Sequence, residues 1–454
     1  MKLKQVAFLF SVLLILNPAF SQKKSTALQA RVDSLMMPLV QTNNYSGTVL
    51  ISKDGKILFS KAYGPMSREY KLANTPDTKF FLASVSMPFT AVAIHKLQEA
   101  GKLSIKDPVS KFLPDYVYGS KLTVHDLLAQ RSGIPAIGVN GKVDYDSLTK
   151  FDHSIEQLYT YFKNEELLFT PGTQYNHGRS DYILLAAIIE KVTGKGFGEY
   201  LKEAIFSPLG MQNTGHSSSE KEIIPNVAKG YAPTGLYEVE SAYSISWSSK
   251  TGHASIYSTT TDLQKFTQAA LDGKLLSPAS WNALFTNYGD NVGYGWFVSK
   301  HLNRDRFQMN GRAPGYSAYA ALYPKEKLSV IVLSNNYISL PADVGKSMAA
   351  IVFNEPFERL NLTTKPVPAD YGQKLAGTYK FDKNFYRPDY ELHLTYENGQ
   401  LTSEWGGLIP IDKGDKHFKE FILRTYWSSI TFVADERGQI TKMLYDTHQG
   451  IKVK

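Results

Sequence analysis

The chain has 454 residues, 43% hydrophobic and 20% charged, which are globular proportions that exclude a disordered, collagenous or coiled-coil chain. Lys and Arg exceed Asp and Glu by 8, but the excess forms no basic block, which argues against a nucleic-acid partner. Cysteine is absent, so disulfides, thiolate metal sites and thiol chemistry are excluded.

In chain order, residues 1–21 read as a secretory leader. Lys2 and Lys4 precede an apolar run from Val6 to Leu16, and Pro18-Ala19-Phe20-Ser21 closes it before Gln22. The run is short for a membrane span, so a periplasmic or secreted protein is expected. Thr26–Gln41 carries Leu28, Val32, Leu35, Met36 and Leu39 at helical spacing. Strand-like runs follow at Ser46–Ser52 and Lys56–Gly64, around the turn Lys53-Asp54-Gly55. Phe80–Ala100 begins extended and becomes a helix that Gly101 stops, with Pro88 tolerated near its first turn. Leu122–Gln130 is a short helix; Tyr182–Gly194 and Phe197–Ile205 are apolar helices; Ser258–Leu271 is another. Gly293–Ser299, Ala318–Tyr323 and Leu328–Leu333 read as strands returning to a sheet built from both parts of the chain. Proline-punctuated residues 355–370 are expected to link the main domain, 22–354, to a small β-rich domain or half-barrel, 371–454, of six short strands.

Several phrases resemble the serine β-lactamase and penicillin-binding-protein superfamily, in its class C and D-alanyl-D-alanine carboxypeptidase-like branch. They are Phe81-Leu82-Ala83-Ser84-Val85-Ser86, Leu127-Leu128-Ala129-Gln130-Arg131-Ser132-Gly133-Ile134-Pro135, Pro171-Gly172 through Tyr182-Ile183-Leu184-Leu185, Pro208-Leu209-Gly210-Met211 and Gly315-Tyr316-Ser317. The resemblance covers roughly residues 30 to 350. It implies an α+β fold, an antiparallel sheet with a helical subdomain, and acyl transfer by a helix-borne serine.

The resemblance also implies a lysine three residues after that serine, a Tyr-x-Asn motif, and a Lys-Thr-Gly or His-x-Gly strand motif. Ser84 is present, and Met87 stands at the lysine position. His177-Gly178-Arg179 stands for Tyr-x-Asn, and Met309-Asn310-Gly311 for the strand motif. A frame through Tyr175 restores the tyrosine only by breaking the spacing to Tyr182. Methionine neither accepts a proton nor carries charge, so ordinary penicillin hydrolysis is not expected.

Three functions stay open. In the first, Ser84 and His177 form a nucleophile–base dyad for an ester, amide or peptide, with Arg179, Asn310 and Gly311 binding substrate. Arg179 suits a carboxylate or phosphate and cannot act as base. In the second, the cleft is a non-catalytic binding site for an envelope peptide or saccharide. In the third, a carboxylate pair cleaves glycosides, with Asp181 and Asp262 as candidates. The plainer alternatives are His177 filling the tyrosine's space, Arg179 paired with Asp181, and Ser84 as a helix-start residue. Trp247, Trp296, Tyr243 and Tyr316 are candidates to line the cleft or pack the core. The histidines lack metal-ligand spacing, so no metal and no cofactor are expected, and a monomer is.

Overall fold

The computed structural model describes residues 16–138, 144–357, 361–382, 385, 389–446 and 448–453, with side chains from residue 27 onward. The expected leader falls largely outside them. No helix among the described residues is long and apolar enough to cross a membrane.

A six-stranded antiparallel sheet forms the first layer. Its strands run Phe297–His301, Arg304–Ala313, Tyr316–Tyr323, Leu328–Ser334, Gly47–Lys53 and Lys56–Tyr63 in spatial order, so the N-terminal hairpin completes a sheet begun late in the chain. The register Val49↔Val332 and Tyr319↔Val332 places the apolar strands at the sheet's centre. Tyr316–Tyr323 and Leu328–Ser334 are buried throughout, because helices cover both faces. Leu16–Gln41 and Pro341–Phe353 cover one face; Thr260–Leu271 and the helical part cover the other.

Two helices at the heart of the helical part position the site. Met87–Glu99 buries ten of its residues, Phe89, Val92 and Ile94 among them, in one apolar core with the sheet. Arg179–Thr193 buries Tyr182, Ile183, Leu184 and Leu185 in that core and stops at left-handed Gly194. This helix starts at Arg179, three residues before the expected Tyr182, and so places Arg179 at its first turn.

The C-terminal part is β-rich as expected, with more strands than the sequence reading counted. Residues Gly377–Lys452 form a closed barrel of eight strands, not a half-barrel of six. The additional strands, Gly406–Pro410 and His448–Lys452, hide in glycine-bearing stretches of weak alternation, and a helix, Ala369–Leu375, occupies part of the expected linker. The barrel has a core of its own, but Leu362, Ile409, Ile411 and Ile422 pack in the same cluster as Val32, Val49 and Met348. Arg424 crosses this junction almost fully buried. Its guanidinium donates to Asn44 Oδ1 at 3.0 Å and to the carbonyls of Thr234, Glu238 and Asn43 at 2.9, 2.6 and 3.2 Å. Thr234 and Glu238 belong to the hairpin Tyr231–Thr234/Glu238–Ser241, which the sequence reading missed.

Candidate active site

Ser84 is held by a turn pinned from both sides. Phe80 and Phe81 pair with Ser258 and Tyr257, Leu82 N–H donates to Ile256 O at 2.8 Å, and Ile256 N–H donates to Ser86 Oγ at 3.2 Å. Between these ties the buried Ala83 takes a left-handed φ of 49°, a conformation an L-residue adopts only when its surroundings enforce it. Ser84 alone in the turn Ala83–Ser86 is not buried. The sheet presses on it as well: a Cβ on Gly311 would sit 2.5 Å from Ser84 N and 2.8 Å from Leu82 O. Only glycine admits that approach.

Ser84 opens into a cavity of about 570 Å³ whose lining includes Met87, Tyr145, His177, Arg179, Lys250, His253 and Arg312. The cavity therefore gathers five of the residues singled out from the sequence: Ser84, Met87, His177, Arg179 and Tyr243. A cavity of about 610 Å³ against the barrel contains none of the motif residues.

His177 lies exposed at the cavity's mouth, its ring stacked 6.3 Å from Phe297. Its Nδ1 is 3.3 Å from Gln130 Oε1 and 3.2 Å from Tyr175 Oη. Gln130 Nε2 donates to Gly178 O at 3.2 Å, which leaves Oε1 to accept from His177. With the proton on Nδ1 the imidazole donates to Gln130 Oε1 and leaves Nε2 with its lone pair; a Tyr175 hydroxyl donating to Nδ1 selects the other tautomer. Gln130 is buried and left-handed, with φ 54°, and its carbonyl accepts from Asn176 N–H at 3.0 Å. Part of the residue is open to solvent, but the protein packed around the ring desolvates it, and this foremost, then Arg179, lowers the His177 pKa. Tyr175 does not line the cavity; burial pushes its phenol up to about 12, so it stays neutral behind His177.

Arg179 is not paired with Asp181. Its guanidinium lies 4.1 Å from the Tyr145 ring centroid. Asp181 is buried away from it and accepts from Ser132 Oγ at 2.5 Å, with its pKa raised by burial. Lys250 Nζ approaches the same Tyr145 ring at 4.3 Å and lies 2.5 Å from Tyr145 Oη. The segment carrying Lys250 is fixed by Trp247, which stacks on Phe81 at 3.7 Å. Burial foremost lowers the pKa of Lys250. His253 falls well below the ordinary histidine range, through burial first and then through Lys250, Arg179 and His177.

Other expected residues lie elsewhere. Asn310 is exposed and off the cavity lining, whereas Arg312, two residues further along the same strand face, lines it. Met309 joins Met87 in the apolar core. Asp262 caps a different corner, accepting from Asn213 N–H at 2.7 Å and from Lys265 Nζ at 2.8 Å. The two carboxylates considered for glycoside cleavage are thus both off the cavity lining. Trp247, Trp296 and Tyr316 are core residues, whereas Tyr243 is exposed and lines the cavity. Gln130, Tyr145, Lys250, His253 and Arg312 had no assigned role from the sequence. Gln130 lay inside a quoted phrase and was the one with a signal; the others come from separate segments with no shared spacing.

The family model Beta-lactamase matches residues 31–352. Penicillin-binding protein 4* of Bacillus subtilis is 27% identical over 447 residues, covering 91% of this chain and 96% of that protein. Teichoic acid D-alanine hydrolase of Staphylococcus aureus is 29% identical over 303 residues, covering 65% of this chain and 72% of that protein. The octameric penicillin-binding protein homologue of Pyrococcus abyssi superposes with TM-score 0.67 at 22% identity, covering 93% of this chain and 99% of that one, a likeness of fold.

Proposed function

The chain belongs to the Beta-lactamase family, and we propose that it is an exported serine hydrolase of that family in which His177 takes the proton from Ser84. The observation that carries this reading is that Ser84 and His177 line one cavity, and the reading takes the 3.3 Å contact of Gln130 Oε1 with His177 Nδ1 as the one that leaves Nε2 free to act as base. Ser84 Oγ attacks the carbonyl carbon of an ester or amide, and its proton passes to His177 Nε2. The tetrahedral alkoxide collapses, and the leaving group departs with the proton from His177. Water then attacks the acyl-serine by the same route, releasing the acid and restoring Ser84 and His177. Gln130 plays the orienting part that a carboxylate plays in a serine triad.

D-alanyl esters and D-amino-acid amides are fitting first substrates, because a relative is a teichoic acid D-alanine hydrolase. The reading includes a periplasmic or secreted location, carried by residues 1–21, a monomeric state, and no need for a cofactor.

A second reading, a binding protein without turnover, is favoured by one observation. Met87 and Met309 are buried apolar side chains at the two positions where the family resemblance implies basic groups. The deciding experiment is intact mass after exposure to a fluorophosphonate. An adduct lost in both Ser84→Ala and His177→Ala supports the dyad; an adduct that survives His177→Ala removes His177 as base; no adduct leaves the binding protein.

A further inference from the structure

The geometry points to an oxyanion subsite in this cavity, built by Arg179 and Lys250 around Tyr145, that holds a carboxylate or phosphate group of the ligand. It deepens the reading above by naming the ligand class, and rests on it only in taking this cavity as the ligand site.

Three cationic side chains, Arg179, Lys250 and Arg312, line the cavity, and no Asp or Glu does among the described residues. Arg179 and Lys250 lie 4.1 and 4.3 Å from the centroid of one ring, so two cationic side chains share one aromatic neighbour. Neither has a carboxylate within ion-pair distance among the described residues, although the field of exposed Asp146 reaches Lys250. Lys250 is 8% exposed, and its ammonium is met by the phenol Tyr145 Oη. A buried cation ordinarily requires an anionic partner or a dense set of acceptors. Cation–π contact with Tyr145 offsets part of that cost and leaves the charge uncompensated.

Arg179 opens the helix Arg179–Thr193, whose first turn already carries the Asp181 carboxylate beside Gly178, so the guanidinium and not the helix end is the anion-binding group here. One further feature favours an anion at the same place. His253 is 6% exposed, lines the cavity, and has an Nδ1 with no hydrogen-bond partner. An oxyanion between the two cations completes the coordination of Lys250 and accepts paired hydrogen bonds from the guanidinium. The remainder of the ligand then extends within a space that Ser84 and His177 also line.

The test is calorimetric titration of the full chain with inorganic phosphate and, separately, with acetate, at constant low ionic strength set by chloride. One anion per chain should bind the wild-type protein and Ser84→Ala alike. Arg179→Gln and Lys250→Met should each weaken binding about tenfold, and Lys250→Arg should retain most of it. Stronger phosphate binding identifies a phosphate ligand, stronger acetate binding a carboxylate ligand, and either supports the subsite. Absence of binding above the chloride background, or equal binding by Arg179→Gln and wild type, overturns it. Should Lys250→Met fail to fold, Arg179→Gln and Lys250→Arg decide the outcome. Anion binding without fluorophosphonate labelling removes the dyad and keeps the subsite; labelling without anion binding does the reverse.

Discussion

Gln130 Oε1 faces His177 Nδ1 at 3.3 Å, and a left-handed backbone at Gln130 keeps it there. In the proposed dyad this pair holds the imidazole proton on Nδ1. Gln130→Leu should lower kcat about tenfold or more on a small ester with little change in KM, because it misorients the base without touching the substrate. The low pKa of His177 also sets the pH profile. The imidazole is neutral above its pKa, so activity should persist below the ordinary histidine range and fall only in more acid solution. A rising limb above pH 7 would contradict His177 as base.

Gly311 and Asn310 are neighbours with different expected effects. Gly311→Ala puts a methyl 2.5 Å from Ser84 N, forcing the strand or the serine turn to shift. A cost of about 1–3 kcal/mol in unfolding free energy is expected, together with loss of fluorophosphonate labelling. Asn310→Ala, on the exposed face, should change neither by more than a small amount. Denaturant melts and labelling of the two variants side by side provide the comparison.

Met87→Lys restores the residue implied by the family resemblance into surroundings that no longer suit it. Met87 is 1% exposed, and cationic Arg179 and Lys250 line the same cavity. The new ammonium has no carboxylate on that lining. The variant should melt at lower temperature and should not hydrolyse a chromogenic cephalosporin, since Met309 and His177 still differ from the motif.

His95 predicts a pH-dependent stability. It is fully buried, packs 5.5 Å from Tyr294, and neither ring nitrogen has a hydrogen-bond partner. Burial lowers its pKa from 6.5 to about 4, so the folded form stays neutral where the unfolded chain takes up a proton. The stability contribution is complete above the unfolded value and declines as pH falls from 6.5 toward about 4. The loss is at most about 3 kcal/mol at the low end. His95→Phe should therefore narrow the difference in melting temperature between pH 8 and pH 5, and an unchanged difference would refute the assignment.

The sheet and its two central helices were legible because their signals are local. The short apolar run in Gly47–Lys53, an apolar helical stripe after Tyr182, and the phrase around Ser84 are each readable within a dozen residues. The spacing that placed His177 and Arg179 in one motif also placed them in one cavity with Ser84. What escaped was assembled at a distance. Tyr145 and Lys250 are 105 positions apart and meet at 2.5 Å. The strand Arg304–Ala313 opens on Arg304-Asp305-Arg306 and has no apolar run, so only its Met309-Asn310-Gly311 part was legible, through the motif. The barrel was undercounted because Gly406–Pro410 and His448–Lys452 gain their strand character from partners on either side.

Arg424 gives the C-terminal barrel a hold on the main domain that a tether alone would lack. Its guanidinium occupies carbonyls of the Tyr231–Ser241 hairpin, whose Ala232 lines the cavity, as do Ala242 and Tyr243 just beyond. A chain that stops short of residue 424 leaves those carbonyls buried without a donor while the hairpin is still required to form one wall. Synthesis reaches this arginine after nearly everything it secures, so the pocket's final shape is set late, and premature termination in the barrel damages the far end of the molecule.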